Sequence, residues 1–301
     1  STLNASGSEI SYQITAEDGK QQKITTSSDV CVEASDEALI LDFAGGLAAG
    51  STAGVGATVV VLVFNKTVEA ALSGTVAAAG DISVTANAED DLYLLALAFG
   101  AGGTAGVAGG ANALVFENST TAALGGMVVK ANDVLVSATA DSRLYNIAAG
   151  AAGSGTAAVT AVAVVTYFKN TTTAYLADGT VIGTAASPVT GDVAVLANSY
   201  EFVTADAAGM SGGGTAGVGG TLDVLVTLVK TSAFTGNNVA VYAAGDVNVR
   251  AVDEYDLVAV VVTAAGSGTA AVGVTALVSV SFNTITAVIG ETNTIVGKSF
   301  T

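Results

Sequence analysis

The sequence has no histidine and no tryptophan, one proline, one cysteine and only nine basic residues in 301. Each shortage excludes something. Without histidine, the commonest general base and the commonest zinc ligand are both missing. A serine such as Ser154 in Gly153-Ser154-Gly155 has no imidazole partner, so a Ser-His-Asp hydrolase is excluded. The lone Cys31 cannot close an intrachain disulfide, and the fold must hold without one. Nine Lys+Arg against 26 Asp+Glu give a formal net charge of −17. That charge repels phosphate backbones and anionic lipid headgroups, so neither a nucleic-acid partner nor membrane insertion is expected. No leader pattern precedes Ser1, as in a chain whose signal peptide has been removed.

What is present is apolar and small. Hydrophobic residues make up 51% of the chain and charged residues 12%, with 37 Gly. Ala and Val supply most of the apolar bulk. Such a chain can bury a large core of closely packed small side chains, and its β-branched content argues against disorder.

A repeat organises the composition. Asp-[Val/Ile]-x-Val-x-Ala occurs at Asp29, Asp81, Asp133, Asp192 and Asp246, in successive steps of 52, 52, 59 and 54 along the sequence. A Thr-Ala-[Gly/Ala]-Val string follows each one, at Thr52, Thr104, Thr156, Thr215 and Thr269, always at the same offset of 23 from its Asp. Five matches at one offset define a register. A third landmark, FNKT from Phe64, FENST from Phe116, FKNTT from Phe168 and FNTIT from Phe282, is replaced in the fourth repeat by LVKTS from Leu228. Length varies only after these landmarks, most of all around Pro188, which places surface loops there.

Apolar residues alternate within the Asp-Val-x-Val-x-Ala string, the signature of a strand. In the second repeat the pattern predicts Ile82, Val84 and Ala86 inside and Ser83 and Thr85 outside, and it puts Cys31 on the outward parity. The middle of each repeat is apolar on both parities. Across the five windows 40–65, 92–117, 144–169, 203–228 and 257–282, only Asp42, Glu117, Lys169, Asp206 and Asp223 are charged. Two readings compete for these windows. Five membrane-spanning helices would have the right length. Mid-segment Gly clusters, sparse flanking Lys/Arg and the missing Trp oppose that reading. The favoured alternative is long strands joined by a Gly turn, at Gly102 to Thr104 or Gly212 to Thr215, with both faces covered. Each repeat is then one broad rung or two narrower ones, stacked along an axis.

The expected fold is all-β, a parallel β-solenoid or β-helix over residues 29–301. Its five repeats are 29–80, 81–132, 133–191, 192–245 and 246–301, with residues 1–28 as a polar N-terminal cap or docking segment. The GDVxVxA strand, the AGGTAGVGA-like stretch and the FxNxTTA string resemble repeats of large secreted bacterial exoproteins, namely filamentous-haemagglutinin-like and leukotoxin-type adhesins and autotransporter passengers. The resemblance implies right-handed parallel β-helices at a bacterial cell surface. It covers roughly residues 29 to 301, which is short for a whole member of that kind, and no autotransporter barrel is visible.

The aspartates Asp29, Asp81, Asp133, Asp192 and Asp246 should form one column. Stacked carboxylates invite a bridging calcium ion. The competing reading has each Asp accept a turn N–H, with the acidic cluster seven to ten positions later (Glu89, Asp90 and Asp91 in the second repeat) lying in a solvated loop. No other cofactor is expected. Asn65, Asn118 and Asn170 match the glycosylation sequon, but they recur where the repeat is expected to turn, where stacked Asn can form an amide ladder. A glycosidase would need a singular carboxylate pair, whereas these acids recur in register, so a non-enzyme is expected. The expected function is structural. The chain reads as a subunit of an extracellular fibre, a homo-oligomer assembled through its solenoid ends, the C-terminal one with no obvious polar cap, and through apolar faces. The alternative is a monomeric adhesin segment.

Overall fold

A computed structural model describes the backbone of residues 2–5 and 10–13 and, with side chains, residues 23–301. The described residues contain strands and no helix. Each repeat folds as a single coil of two long strands and one short one. The long strands that open the coils are β4 (Val30–Gly50), β7 (Ile82–Gly102), β10 (Val134–Ser154), β13 (Val193–Gly213) and β16 (Val247–Ser267). The returning strands are β5 (Ala53–Leu72), β8 (Ala105–Leu124), β11 (Ala157–Leu176), β14 (Ala216–Thr235) and β17 (Ala270–Ile289). Short strands β3 (Lys23–Thr25), β6 (Thr75–Ala77), β9 (Met127–Lys130), β12 (Val181–Ile182), β15 (Ala240–Tyr242) and β18 (Thr294–Val296) close the wide end.

Corresponding strands stack in parallel and in register. Every residue of β10 pairs with β7 on one side and with β13 on the other, and every residue of β11 pairs with β8 and β14. The Thr-Ala-[Gly/Ala]-Val string is where the chain bends between the two long strands, at residues 51–52, 103–104, 155–156, 214–215 and 268–269. The constant step from Asp to Thr is therefore one long strand plus this bend. The parallel β-solenoid expected from the repeat is present, with one coil per repeat. No helix among the described residues is long and apolar enough to cross a membrane, and the uncharged windows are strand–bend–strand.

At about 3.3 Å per residue the long strands run about 65 Å, so each coil is a narrow blade with a short base and a distant tip. Side-chain size follows the taper. Inward residues along β7 run Ile82, Val84, Ala86, Ala88, Asp90, Leu92, Leu94, Ala96, Ala98 and then Gly100 at the tip. Phe116 is fully buried in mid-blade, its ring stacked between Phe64 and Phe168, 4.8 Å from the latter. At the tip the two sheets meet backbone to backbone, and a Cβ on Gly106 would overlap the carbonyl group of Gly153 in the facing strand. The same column elsewhere holds nothing larger than alanine, as at Ala158 in the next coil.

The short strand β3 already stacks on β6, so residues 23–25 of the expected cap belong to the solenoid's third sheet. Strands β1 (Thr2–Ala5) and β2 (Ile10–Gln13) form an antiparallel hairpin, which touches β4 through the pair Asn4 and Cys31. The remainder of the expected cap over 1–28, up to residue 22, lies outside the described residues. The insertion of the third repeat is a small loop at 184–188, after which Val189 re-enters the core and its N–H donates to the Tyr242 carbonyl.

Candidate functional site

Three features carry polar chemistry or unusual exposure: the aspartate column, a polar belt inside the blade, and the blade's outer faces.

The five aspartates sit one residue before each opening strand, at the corner where the base turns into the long sheet. Successive members are linked by hydrogen bonds. The backbone N–H groups of Asp81, Asp133, Asp192 and Asp246 donate to Oδ1 of Asp29, Asp81, Asp133 and Asp192 at 2.9, 3.1, 2.7 and 2.7 Å. Asn132 adds its side-chain amide to Asp81 Oδ1 at 2.9 Å. Each of these first four carboxylates thus caps the first N–H of the next coil, which explains why Asp recurs there without requiring an ion. Among the described residues, no three His, Cys, Asp or Glu side chains are grouped to hold a metal.

The acidic cluster downstream is not a loop. It continues the opening strand, and its members alternate in direction. Asp36, Asp90, Glu201 and Asp253 fall on inward positions, while Glu37, Glu89 and Asp141 share one outward column. The FxNxT string is likewise strand rather than turn, and it places Lys66, Asn118, Asn170 and Asn283 inward on the facing sheet. Asn118 and Asn170 are buried, which leaves neither open to glycosylation. The signal for this in the sequence is parity: counting by twos from Ile82 leads to Asp90.

Together these residues form a belt along the solenoid axis that separates the core near the base from the core in mid-blade. Lys66 Nζ lies 2.9 Å from Asp90 Oδ1 and 2.8 Å from Asp36 Oδ2. Asn118 donates to Asn170 Oδ1 at 3.1 Å, a single link of the expected amide ladder. Asn170 in turn donates to Glu201 Oε1 at 2.6 Å, and the Ser199 hydroxyl donates to the same oxygen. Burial pushes the Glu201 carboxyl up to about 8, against the bonds from Ser199 and Asn170 and with help from nearby Asp253. Burial also raises Asp90, despite Lys66. Nearer the tip, Asp223 is fully buried, and neither of its oxygens has a hydrogen-bond partner among the described residues. Burial, followed by the charge of Asp206, raises it to about 6. Through the middle coils, from Asp90 and Asn118 to Asn170 and Glu201, the belt is sealed between two sheets, so its chemistry there is that of a core specifying one register.

No family model, curated protein or solved structure matches this chain. The parallel β-solenoid is the type of fold that the exoprotein resemblance implies, and no match assigns the chain to that group.

The outer faces are the unusual surface. On the returning sheet, the five outward positions from Val55 to Val63 recur in all five coils and make five by five, or 25, sites. They carry Val, Ala, Gly, Leu and a single Tyr, Tyr167, and no charge. Val59 is 68% exposed and Val63 69%. The opening sheet is similar over its tip half, with Leu41, Phe43, Phe99 and Val260 exposed, but Asp206 interrupts it. The charges gather on the base half. The blade is thus amphipathic along its length, polar at the base and apolar on both outer faces toward the tip.

Proposed function

We propose that this chain is a structural element of an extracellular bacterial surface assembly, a stiff blade that associates with copies of itself through its apolar outer faces. The observation that carries the reading is the uncharged exterior of the returning sheet. At about 6.7 Å per outward step and 4.8 Å per coil, five by five sites cover roughly 800 Å². A soluble monomer rarely leaves more than about 300–600 Å² of contiguous apolar surface open to water. Extracellular placement and the link to bacterial exoproteins are supported by the quoted repeat motifs. A non-catalytic role is supported by the absence of His and by the coil-to-coil recurrence of the acids.

The test is association with concentration. Light scattering should report masses above the 29.1 kDa chain as concentration rises, and negative-stain microscopy should show regular particles wider than one blade. A chain that stays monomeric at high concentration and binds a host surface ligand would instead be an adhesin segment, and the assembly reading would be abandoned.

A further inference from the structure

The outer face of the returning sheet is not uniformly flat. Ala57, Gly109, Ala161 and Gly220 form a column of small residues through the first four coils, and the space above them is a groove running along the solenoid axis. Val274 closes the groove in the fifth coil. The column on its tip side is valine in every coil, Val159 in the middle one. Two columns toward the base, Val165 and its equivalents form a second ridge, again valine except for one alanine. Ridges and groove all run parallel to the axis.

We infer that this face is a two-fold interface with a second copy of the same chain, resting on the self-associating reading above. One operator seats a ridge of each copy in the groove of the other. A two-fold axis along the strands would lay every column on its own equivalent and leave the groove empty. A two-fold axis parallel to the solenoid, passing over the Ala163 column at the centre of the patch, turns the Val165 ridge of each copy into the groove of the other and sets the Val159 column against the Tyr167 column at each flank. The two blades then lie face to face and tip to base, and their polar bases sit at opposite edges, in water. The same operation keeps both solenoids parallel. Covering about 800 Å² on each copy gives about 1,600 Å² in all, the size of a standard stable interface. The patch has no charge to leave unpaired, and sheets pack face to face at about 10 Å with such side chains interleaved. Asp206 on the other long face, whose carboxyl accepts the Val260 N–H at 3.0 Å, would be desolvated in an equivalent contact, which singles out the returning sheet.

The test uses the full chain with Cys31→Ser as background. Wild type should sediment as a dimer. Val165→Lys, an outward substitution, should keep the wild-type circular dichroism and weaken dimerisation at least about 100-fold, because it buries an unpaired ammonium in the contact. Ala149→Lys on the opposite long face should leave the dimer intact. Ala163→Cys should cross-link to its own copy under oxidant, because it lies on the axis, and Ala149→Cys should not. Val165→Lys dimers of wild-type strength would overturn the interface. If larger assemblies persist in Val165→Lys and fail in Ala149→Lys, the two-fold interface falls while the assembly reading stands. A wild-type chain that is monomeric in buffer yet floats with phosphatidylcholine vesicles would overturn both in favour of a lipid surface.

Discussion

Glu201 offers the sharpest test of the interior. It is fully buried, its Oε1 is satisfied by Asn170 and Ser199, and its Oε2 has no partner among the described residues. The carboxyl rises from 4.5 to about 8. At about 1.4 kcal/mol per unit this corresponds to a penalty on the charged form of roughly 3–5 kcal/mol. The sign follows from linkage. Between the unfolded value and about 8 the folded state holds more protons than the unfolded state, so stability falls as pH rises through that window and levels off above it. Below the unfolded value the group is neutral in both states and the penalty vanishes. Glu201→Gln keeps the shape and the acceptor oxygen and removes the charge. Urea denaturation followed by circular dichroism should find the variant within about 1 kcal/mol of wild type at pH 5 and roughly 3–5 kcal/mol more stable at pH 9. Parallel pH profiles for the two proteins would refute the reasoning, since they would mean that the carboxyl reaches water or finds a partner for its second oxygen.

Other perturbations probe the remaining links. Lys66→Met strands the buried Asp90 and should cost about 3–5 kcal/mol near neutral pH, with partial recovery in the Lys66→Met/Asp90→Leu double variant; thermal melts would read both. Phe116→Ala, emptying the middle of an aromatic stack, should cost about 3–5 kcal/mol in chemical denaturation. Gly106→Val must push the sheets apart at the tip and should lower stability by about 2 kcal/mol or more, whereas Val107→Ala, on the outward side, should be close to neutral in the monomer; a harmless Gly106→Val would mean the tip is not in backbone contact. Asp81→Ala should cost about 1–2 kcal/mol, through the N–H of Asp133 and the amide of Asn132, and chelator should leave the melting temperature unchanged; a fall on chelation would return calcium to the aspartate column.

Much of the fold is legible in the sequence because the repeat is a register. A fixed step from Asp to Thr means a fixed strand length and bend, and period-two alternation from Ile82 to Ala86 sets inside and outside. Turns at Gly103-Thr104 and at Gly214-Thr215 follow from the same landmarks. The acidic clusters and the FxNxT strings depart from expectation for one reason: polar residues in a run look like a loop when solvent is assumed to be their only partner. Asp90 faces Lys66 from the other sheet, 24 residues away, and Asn170 faces Glu201 at a separation of 31, so each finds its partner only once the blade closes.

The sequence by itself determined the period, the strand parity and the lack of charge in the middle of each repeat. The tertiary structure decided which apolar residues are core and which are surface. Val60 and Val59 are neighbours with the same side chain, yet one is buried between sheets and the other is 68% exposed on the outer face. Composition cannot separate them, because both parities are apolar in these windows; only the closing of two long sheets against each other assigns one row to the interior and leaves the other as bare hydrophobic surface.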